Sequence, residues 1–364
     1  MKSEFSLIQF AQELERQKHA KRDFIAHETA MQAQTVLDDG GARTVVMELA
    51  DTGSYTITPH AHGQLAQRLK IPTRYYHRML SEAPELLCTN LNHWLHQDDG
   101  TQRIVRTLDQ SIRGFLSSNF RPLDHYDFAE VALQTLYDIG DIEVEACAIT
   151  DTRMYLKAVS KRLQGEVRVG DIVQWGVALS NSEVGAGKLR IDPLIYRLSC
   201  LNGAVAGQDV GTYERRHVGR KVLSDRDVAH LLSDEARQAD DKAFWLTVRD
   251  IIQGLFNEET FREVLALWQG AAARSITTTV PEVVQVTLKQ HHLPESMHSG
   301  ILDHLIREGD FTQYGLANAV TRYSQDVEAY DTAHQLEEIG AEIIALSPPR
   351  WSGLMQAAAA LAQA

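Results

Sequence analysis

Cysteine is scarce: Cys88, Cys147 and Cys200 are the only three in 364 residues. The number is odd and the spacing wide, so neither a disulfide framework nor a zinc-ribbon pattern can be written, and a reducing cytoplasm fits best. Long apolar runs are missing as well. The N-terminal stretch MKSEFSLIQFAQELERQKHAKRDF breaks each apolar run with a charge, which leaves no signal-peptide core. No stretch approaches the roughly 20 apolar residues of a membrane helix. A soluble, cytoplasmic protein without membrane contact is expected. Basic excess is absent too: 36 Lys and Arg stand against 49 Asp and Glu, a net charge of −13, which excludes a globally basic nucleic-acid coat. What is present is ordinary for a globular chain, with 44% hydrophobic and 23% charged residues, and the length predicts two or three packed units.

The negative charge is unevenly spread. Residues 1–100 carry 10 cations and 13 acids, residues 101–221 carry 16 and 15, and residues 222–364 carry 10 and 21. Within the middle part, residues 152–221 hold 12 cations against 6 acids. Such asymmetry points to an electrostatic partner for one face; opposite charges neutralising each other across a domain contact give the same arithmetic.

Periodicity divides the chain at the same places. Residues 1–100 read as mainly helical, from Phe5 to Lys21 and from His60 onward, with one hairpin where ARTVVMEL and SYTIT flank Asp51-Thr52-Gly53. In residues 101–221, two short strands surround Asp109-Gln110 and a helix, HYDFAEVALQTLYD, ends before Gly140. Four strand-like runs follow, IEVEACAIT, RMYLKAVSK, DIVQWGVALSNS and KLRIDPLIYRLSC. Connections this short cannot make parallel crossovers, so the runs predict an antiparallel sheet, with a bulge or edge at Pro193. Residues 222–364 are helical, opened by Ser224 or Asp225 as cap. The expected class is α+β: an antiparallel β-hairpin sheet packed on helices, with an acidic helical C-terminal region.

Familiar catalytic signatures are largely lacking. SNSEVGAGKL has Gly187-Lys188 but places Ser182 and Leu189 where a phosphate loop needs Gly and Ser or Thr, so it reads as a hairpin turn. His60 with His62, and His291 with His292, lack a third ligand at metal spacing and read as capping or solvated histidines. No cofactor and no metal are expected. Cys200, in the apolar strand end LSCLNG, reads as a buried structural thiol. Trp175 shares a face with Val173, Val177 and Leu179 and reads as core.

What remains is the mixture of cations and aromatics in residues 101–221. Alternation puts Arg153, Tyr155, Lys157 and Lys161 on one strand face, opposite Met154, Leu156 and Ala158. Single strands are bound by cations that follow phosphates and by aromatic faces that stack on bases. The candidate binding residues are Arg153, Tyr155, Lys157, Lys161, Arg162, Arg190, Arg197, Arg215, Arg216 and Lys221, with Tyr196, Phe115 and Phe120 as further stacking groups.

The runs RTLDQSIRGFLSSNFRPLDHYDF, YRLSCLNG, TYERRHVGR and FTQYGLANAVTRYSQD, in order across residues 55–330, resemble the phage/plasmid-like family catalogued as domain of unknown function 932. Cys200, Asn202 and Gly203 fit its Cys-x-Asn-Gly strand end, Arg216 and His217 its Arg-His pair, and Asn318 to Thr321 its late Asn-Ala-x-Thr. The resemblance implies work on replicating or incoming DNA and supplies no catalytic residue. A looser likeness is to phage single-strand annealing proteins, which assemble into rings. Three expectations follow. The first is a homo-oligomeric protein that binds single-stranded DNA without ATP in recombination or establishment, with strand annealing as an extension of that binding. The second is a non-catalytic regulator or inhibitor that holds a host protein through its acidic helices. The third is an enzyme using Cys200, Asn202 and His217, if these converge.

Overall fold

The computed structural model describes residues 1–37, 40–50, 52–97, 101–205, 212–215 and 234–363. Helix α1 (Leu7–Ala20) is opened by a capping box in which Ser6 and Gln9 satisfy each other's backbone N–H. Four strands follow: β1 (Lys21–His27), β2 (Met31–Leu37), β3 (Arg43–Leu49) and β4 (Gly53–Ile57). Of these, periodicity reveals only the β3–β4 hairpin. Thr58 then caps α2 (Pro59–Arg68), its side chain accepting from Ala61 N, with Pro59 in the first turn. After it come α3 (Thr73–Glu82), α4 (Pro84–Leu95), and the strand pair β5 (Gln102–Leu108) and β6 (Ser111–Ser117).

These strands form one six-stranded sheet in the order β1-β5-β6-β4-β3-β2. β4 pairs parallel with β6, and the other pairings are antiparallel. Met31, Met47, Leu49 and Val105 of the sheet bury against Leu65, Tyr76, Met79, Leu87 and Leu91 of α2, α3 and α4. The sheet draws strands from both sides of residue 100, so the division expected there runs through it. α1 does not belong to this core either, because Phe10 and Leu14 pack with the second sheet.

The second sheet follows α5 (His125–Ile139). It contains β7 (Ile142–Ile149), β8 (Met154–Arg168), β9 (Asp171–Asn181), β10 (Leu189–Arg197) and β11 (Asn202–Val205), antiparallel in the order β11-β10-β9-β8-β7, with β12 (Tyr213–Arg215) also on β10. Along β10, β11 pairs from Leu194 and β12 pairs up to Ile191. Pro193 lies within β10 opposite Val177 of β9, between the stretches of β10 that pair with β12 and β11. Trp175 is fully buried, as its neighbours predict, and donates Nε1–H to Leu255 O at 2.7 Å.

The C-terminal region is helical: α6 (Asp234–Leu255), α7 (Glu258–Ala272), α8 (Val280–Gln290), α9 (His298–Glu308), α10 (Gln313–Tyr323), α11 (Tyr330–Ala345) and α12 (Pro348–Leu361). The cap expected at Ser224 or Asp225 lies outside the described residues. α6 and α7 supply Phe244, Val248, Ile252 and Phe261 to the core that holds Leu156, Val173, Trp175 and Val177. α11 covers the other side of the sheet, with Tyr330 against Tyr155 and Glu337 against Lys157.

A buried ionic junction ties the two sheets together. The β9–β10 turn drives Glu183, 2% exposed, toward the first sheet. There it meets Arg113 at 2.7 Å and Lys21 at 3.4 Å, and accepts from His125 N at 2.6 Å. Arg106, 1% exposed, donates to Glu183 O at 2.9 Å, to Asp23 at 2.8 Å and to Asp124 at 2.7 Å. Burying an ion costs several kcal/mol unless it is paired and hydrogen-bonded, and each of these charges is.

Candidate nucleic-acid interface

Of the described cations read as a phosphate-binding face, Lys157 is buried, Arg153, Arg190, Arg197 and Arg215 are half-buried and engaged with groups of the protein itself, and two are exposed. Lys157 is 1% exposed and ion-paired with Glu337 of α11. Tyr155, equally buried, donates to Asp331 Oδ1 at 2.8 Å and packs on Tyr330 and His334. Arg190 bridges Asp192, Glu214 and Glu338. Arg197 holds Asp171 at 2.8 Å and Glu308 at 2.9 Å. Arg153 donates to Ala186 O at 2.6 Å, and the Arg215 guanidinium lies 5.4 Å from the Phe244 ring centre. Lys161 and Arg162 are exposed, Lys161 pairing with Glu143 at 2.8 Å. Arg216, Lys221 and His217 lie outside the described residues. Tyr196 and Phe115 are buried, and Phe120 is half-buried.

Alternation along β8 thus sets Tyr155 and Lys157 on one face, which is buried at these two residues, while Lys161 farther along the strand is exposed. α11 lies over that face, and the excess charge of the sheet is neutralised by acids of the C-terminal helices. The pairing is strong enough to keep both buried partners charged. Burial opposes the Lys157 ammonium, but Glu337 and Tyr330 together outweigh it and raise the pKa above the usual lysine range. Burial likewise opposes the Glu337 carboxylate, and Lys157 and His334 together outweigh it, lowering its pKa.

An exposed basic and aromatic surface does occur, on α2 and α3. Residues 52–81 contain no Asp or Glu over 30 positions, while Arg68, Lys70, Arg74 and Arg78 supply cations. That acid-free run, in a chain with 49 acids, is the sequence signal that marks the surface. Tyr76 and Met79 turn α3 inward, the Tyr76 hydroxyl lying 2.7 Å from His62 Nδ1. Arg74, Tyr75, His77 and Arg78 consequently face solvent. Lys70 links the two helices with φ 54°, a left-handed conformation that glycine tolerates best, and it too is exposed. Arg78 pairs with Glu82 at 3.0 Å, both side chains being in solvent, an interaction worth little that a phosphate displaces easily.

Beside this surface opens a cleft of about 580 Å³, lined among others by Glu28, Arg68, Lys70, Tyr75, Asn90, Trp94 and Gln97. Tyr75 is 46% exposed and Trp94 45%. Glu28 is buried and neutralised by Arg68 at 2.7 Å and Arg103 at 2.5 Å. A second cleft, of about 470 Å³, has Glu4, Asp151, Glu328 and Asp331 in its walls and repels a polyanion.

Of the histidines read as metal or cap candidates, His60 and His62 have other partners. His62 is buried on Tyr76, and burial lowers its pKa to about 4, with a further lowering from His77. His60 Nε2 lies 3.0 Å from Val184 O, and Thr58 is the cap. Cys200 is half-exposed rather than buried, with Glu308 Oε1 at 3.4 Å and Arg197 Nη1 at 3.5 Å from its sulfur. Burial raises its pKa, Arg197 lowering it and Glu308 adding to the rise, so it stays a thiol rather than a ready nucleophile. Two of the quoted motifs meet in space: Asn202, at the strand end, donates to Thr321 Oγ1 of α10 at 2.6 Å, and both are buried.

No family model, curated protein or solved structure matches the chain.

Proposed function

We propose that this protein binds single-stranded DNA, without ATP, through the α2–α3 surface rather than through the second sheet. The observation that carries the reading is the acid-free run of residues 52–81, which presents Lys70, Arg74, Arg78 and Tyr75 to solvent in an otherwise acidic chain. A strand laid across these side chains releases counterions and gains affinity at low salt. The acidic helices contribute by keeping the second sheet neutral: Glu308, Asp310, Glu337 and Glu338 are each paired with one of its cations. Those same pairings leave these four acids unavailable to a host protein, so the regulator reading loses part of its surface. Assembly of several copies on one strand belongs to the proposal, and mass measurement with and without oligonucleotide reads it.

The test is binding of a fluorescent oligonucleotide across a salt series. The wild-type chain is expected to bind at low salt and to weaken as salt rises. A Lys70→Ala/Arg74→Ala/Arg78→Ala variant should show a shallower salt dependence, by about 0.7 in log–log slope for each phosphate that it no longer neutralises. No binding at low salt, or an unchanged slope in the variant, rejects the reading.

A further inference from the structure

We infer that the cleft between α3 and α4 is a stacking pocket for one unpaired nucleobase, with Trp94 and Tyr75 as its platforms. The inference rests on the nucleic-acid reading above and adds to it a specific site, a ligand part and a requirement that the strand be unpaired.

A volume of about 580 Å³ lies within the range of sites that enclose small ligands, roughly 300–1,000 Å³. Its walls combine apolar groups, Leu69, Ile71 and Pro72, with the amides of Asn90 and Gln97. A base presents the matching pair of properties: an apolar face and an edge of donors and acceptors. Trp175, Trp268 and Trp351 are buried and Trp245 is half-buried, whereas Trp94 is 45% exposed. A large ring left uncovered in a cleft, with a second one in the same lining, is surface available to a flat ligand.

Trp94 Nε1 donates to Asn90 Oδ1 at 3.0 Å, one helical turn earlier on α4, and the His93 ring edges against the indole at a 5.0 Å centroid distance. The indole plane is therefore set before a ligand arrives, which lowers the entropy cost of stacking. Among the described residues of the lining the one acid, Glu28, is held by Arg68 and Arg103, so its charge is compensated where the cleft meets Lys70. A base entering the pocket leaves its phosphates beside Lys70 and Arg74. A base-paired strand keeps its bases stacked inside the duplex and cannot make this insertion without unpairing.

The experiment compares two fluorescent strands of equal length and phosphate number, one bearing bases and one abasic throughout, with the full chain at low salt. Wild type is expected to bind the base-bearing strand about tenfold more tightly, as one stacked base would give, and to lose tryptophan emission when it does. Trp94→Ala should remove the tenfold preference, and Trp94→Phe should keep part of it while losing the emission change. The triple variant at Lys70, Arg74 and Arg78 should weaken both strands alike. Equal binding of the two strands by wild type overturns the pocket and leaves the phosphate-binding reading standing, as does a preference that survives Trp94→Ala. Failure of both strands to bind overturns the two together.

Discussion

Lys157 shows how far a charged residue can be taken from water when its partner is supplied by a later part of the chain. Its ammonium and the Glu337 carboxylate are each 1% exposed, beside the Tyr330 ring 5.0 Å away. Removing one member leaves the other buried and unpaired, which costs about 3–5 kcal/mol, whereas replacing both with apolar groups is often neutral or stabilising. Lys157→Met is accordingly expected to lower the unfolding free energy by about that amount, and Lys157→Met/Glu337→Leu to restore most of it, in urea unfolding monitored by circular dichroism. Equal stability of the single variant and wild type would show that the pair carries no net charge interaction. The same residue marks the limit of reading from sequence. Period two correctly sets Tyr155 and Lys157 opposite Leu156 and Ala158, but a strand's own pattern does not reveal whether a helix 180 residues later will cover its polar face.

Among the elements, β2 lies at one edge of the first sheet, and its seven residues MQAQTVL include no charge, proline or glycine to discourage pairing with another strand. α4 guards it instead. Ala33 N donates to Asn92 Oδ1 at 2.7 Å and Asn92 Nδ2 donates to Ala33 O at 2.8 Å, so one side-chain amide imitates a ladder partner. His96 Nε2 adds an approach of 2.9 Å to Met31 O. Asn92→Ala strands two polar groups of Ala33, a residue that is 2% exposed, and should cost about 1–3 kcal/mol and raise the apparent mass in light scattering. A variant as stable and as monodisperse as wild type would remove the guard role. Elements with local partners and strong period are legible: the β3–β4 hairpin, α2, α3, α5 and the β7–β10 meander all lie where the pattern places them. β1 and β2 are not. KRDFIAH is too charged and MQAQTVL too polar to show alternation, and β1 takes its partner, β5, from about 80 residues away. The α2–α3 surface is legible in principle, as a run without carboxylates, yet counting charge over whole thirds of the chain averages it away.

At the scale of the whole molecule, the junction around Glu183 makes the contact between the two sheets depend on protonation. Burial works against the Glu183 carboxylate, and His125, Arg113, Lys21 and Arg106 outweigh it, holding its pKa far below the usual carboxylate range. Its contribution is complete above the ordinary Glu pKa and is lost as pH falls through the folded value. Burial lowers the neighbouring His125 to about 4, with Glu183 opposing that shift. The folded chain therefore keeps this ring neutral where the unfolded chain, with an ordinary pKa near 6.5, takes up a proton. Stability from His125 is present above about 6.5 and drains away as pH falls toward 4, at a slope of about 1.4 kcal/mol per pH unit. Asp192, pushed up to about 6 by burial against the pull of Arg190, acts in the opposite sense between its ordinary value and 6, so the test is a difference. Urea unfolding at pH 6.5, 5.5 and 4.5 should give a flatter profile for His125→Gln than for wild type, and parallel profiles would disprove the assignment. The strand order of the first sheet governs something else, the timetable of synthesis. α1 leaves the ribosome before the sheets, but the strands it packs on follow more than a hundred residues later, and β1 and β4 each wait for residues 102–117. Until then the β2–β3–β4 meander and the helices α2 to α4 that pack on it lack the central strands β5 and β6. High contact order of this kind slows folding and lengthens the exposure of apolar surface, so the nascent chain is the form of this protein most in need of a chaperone.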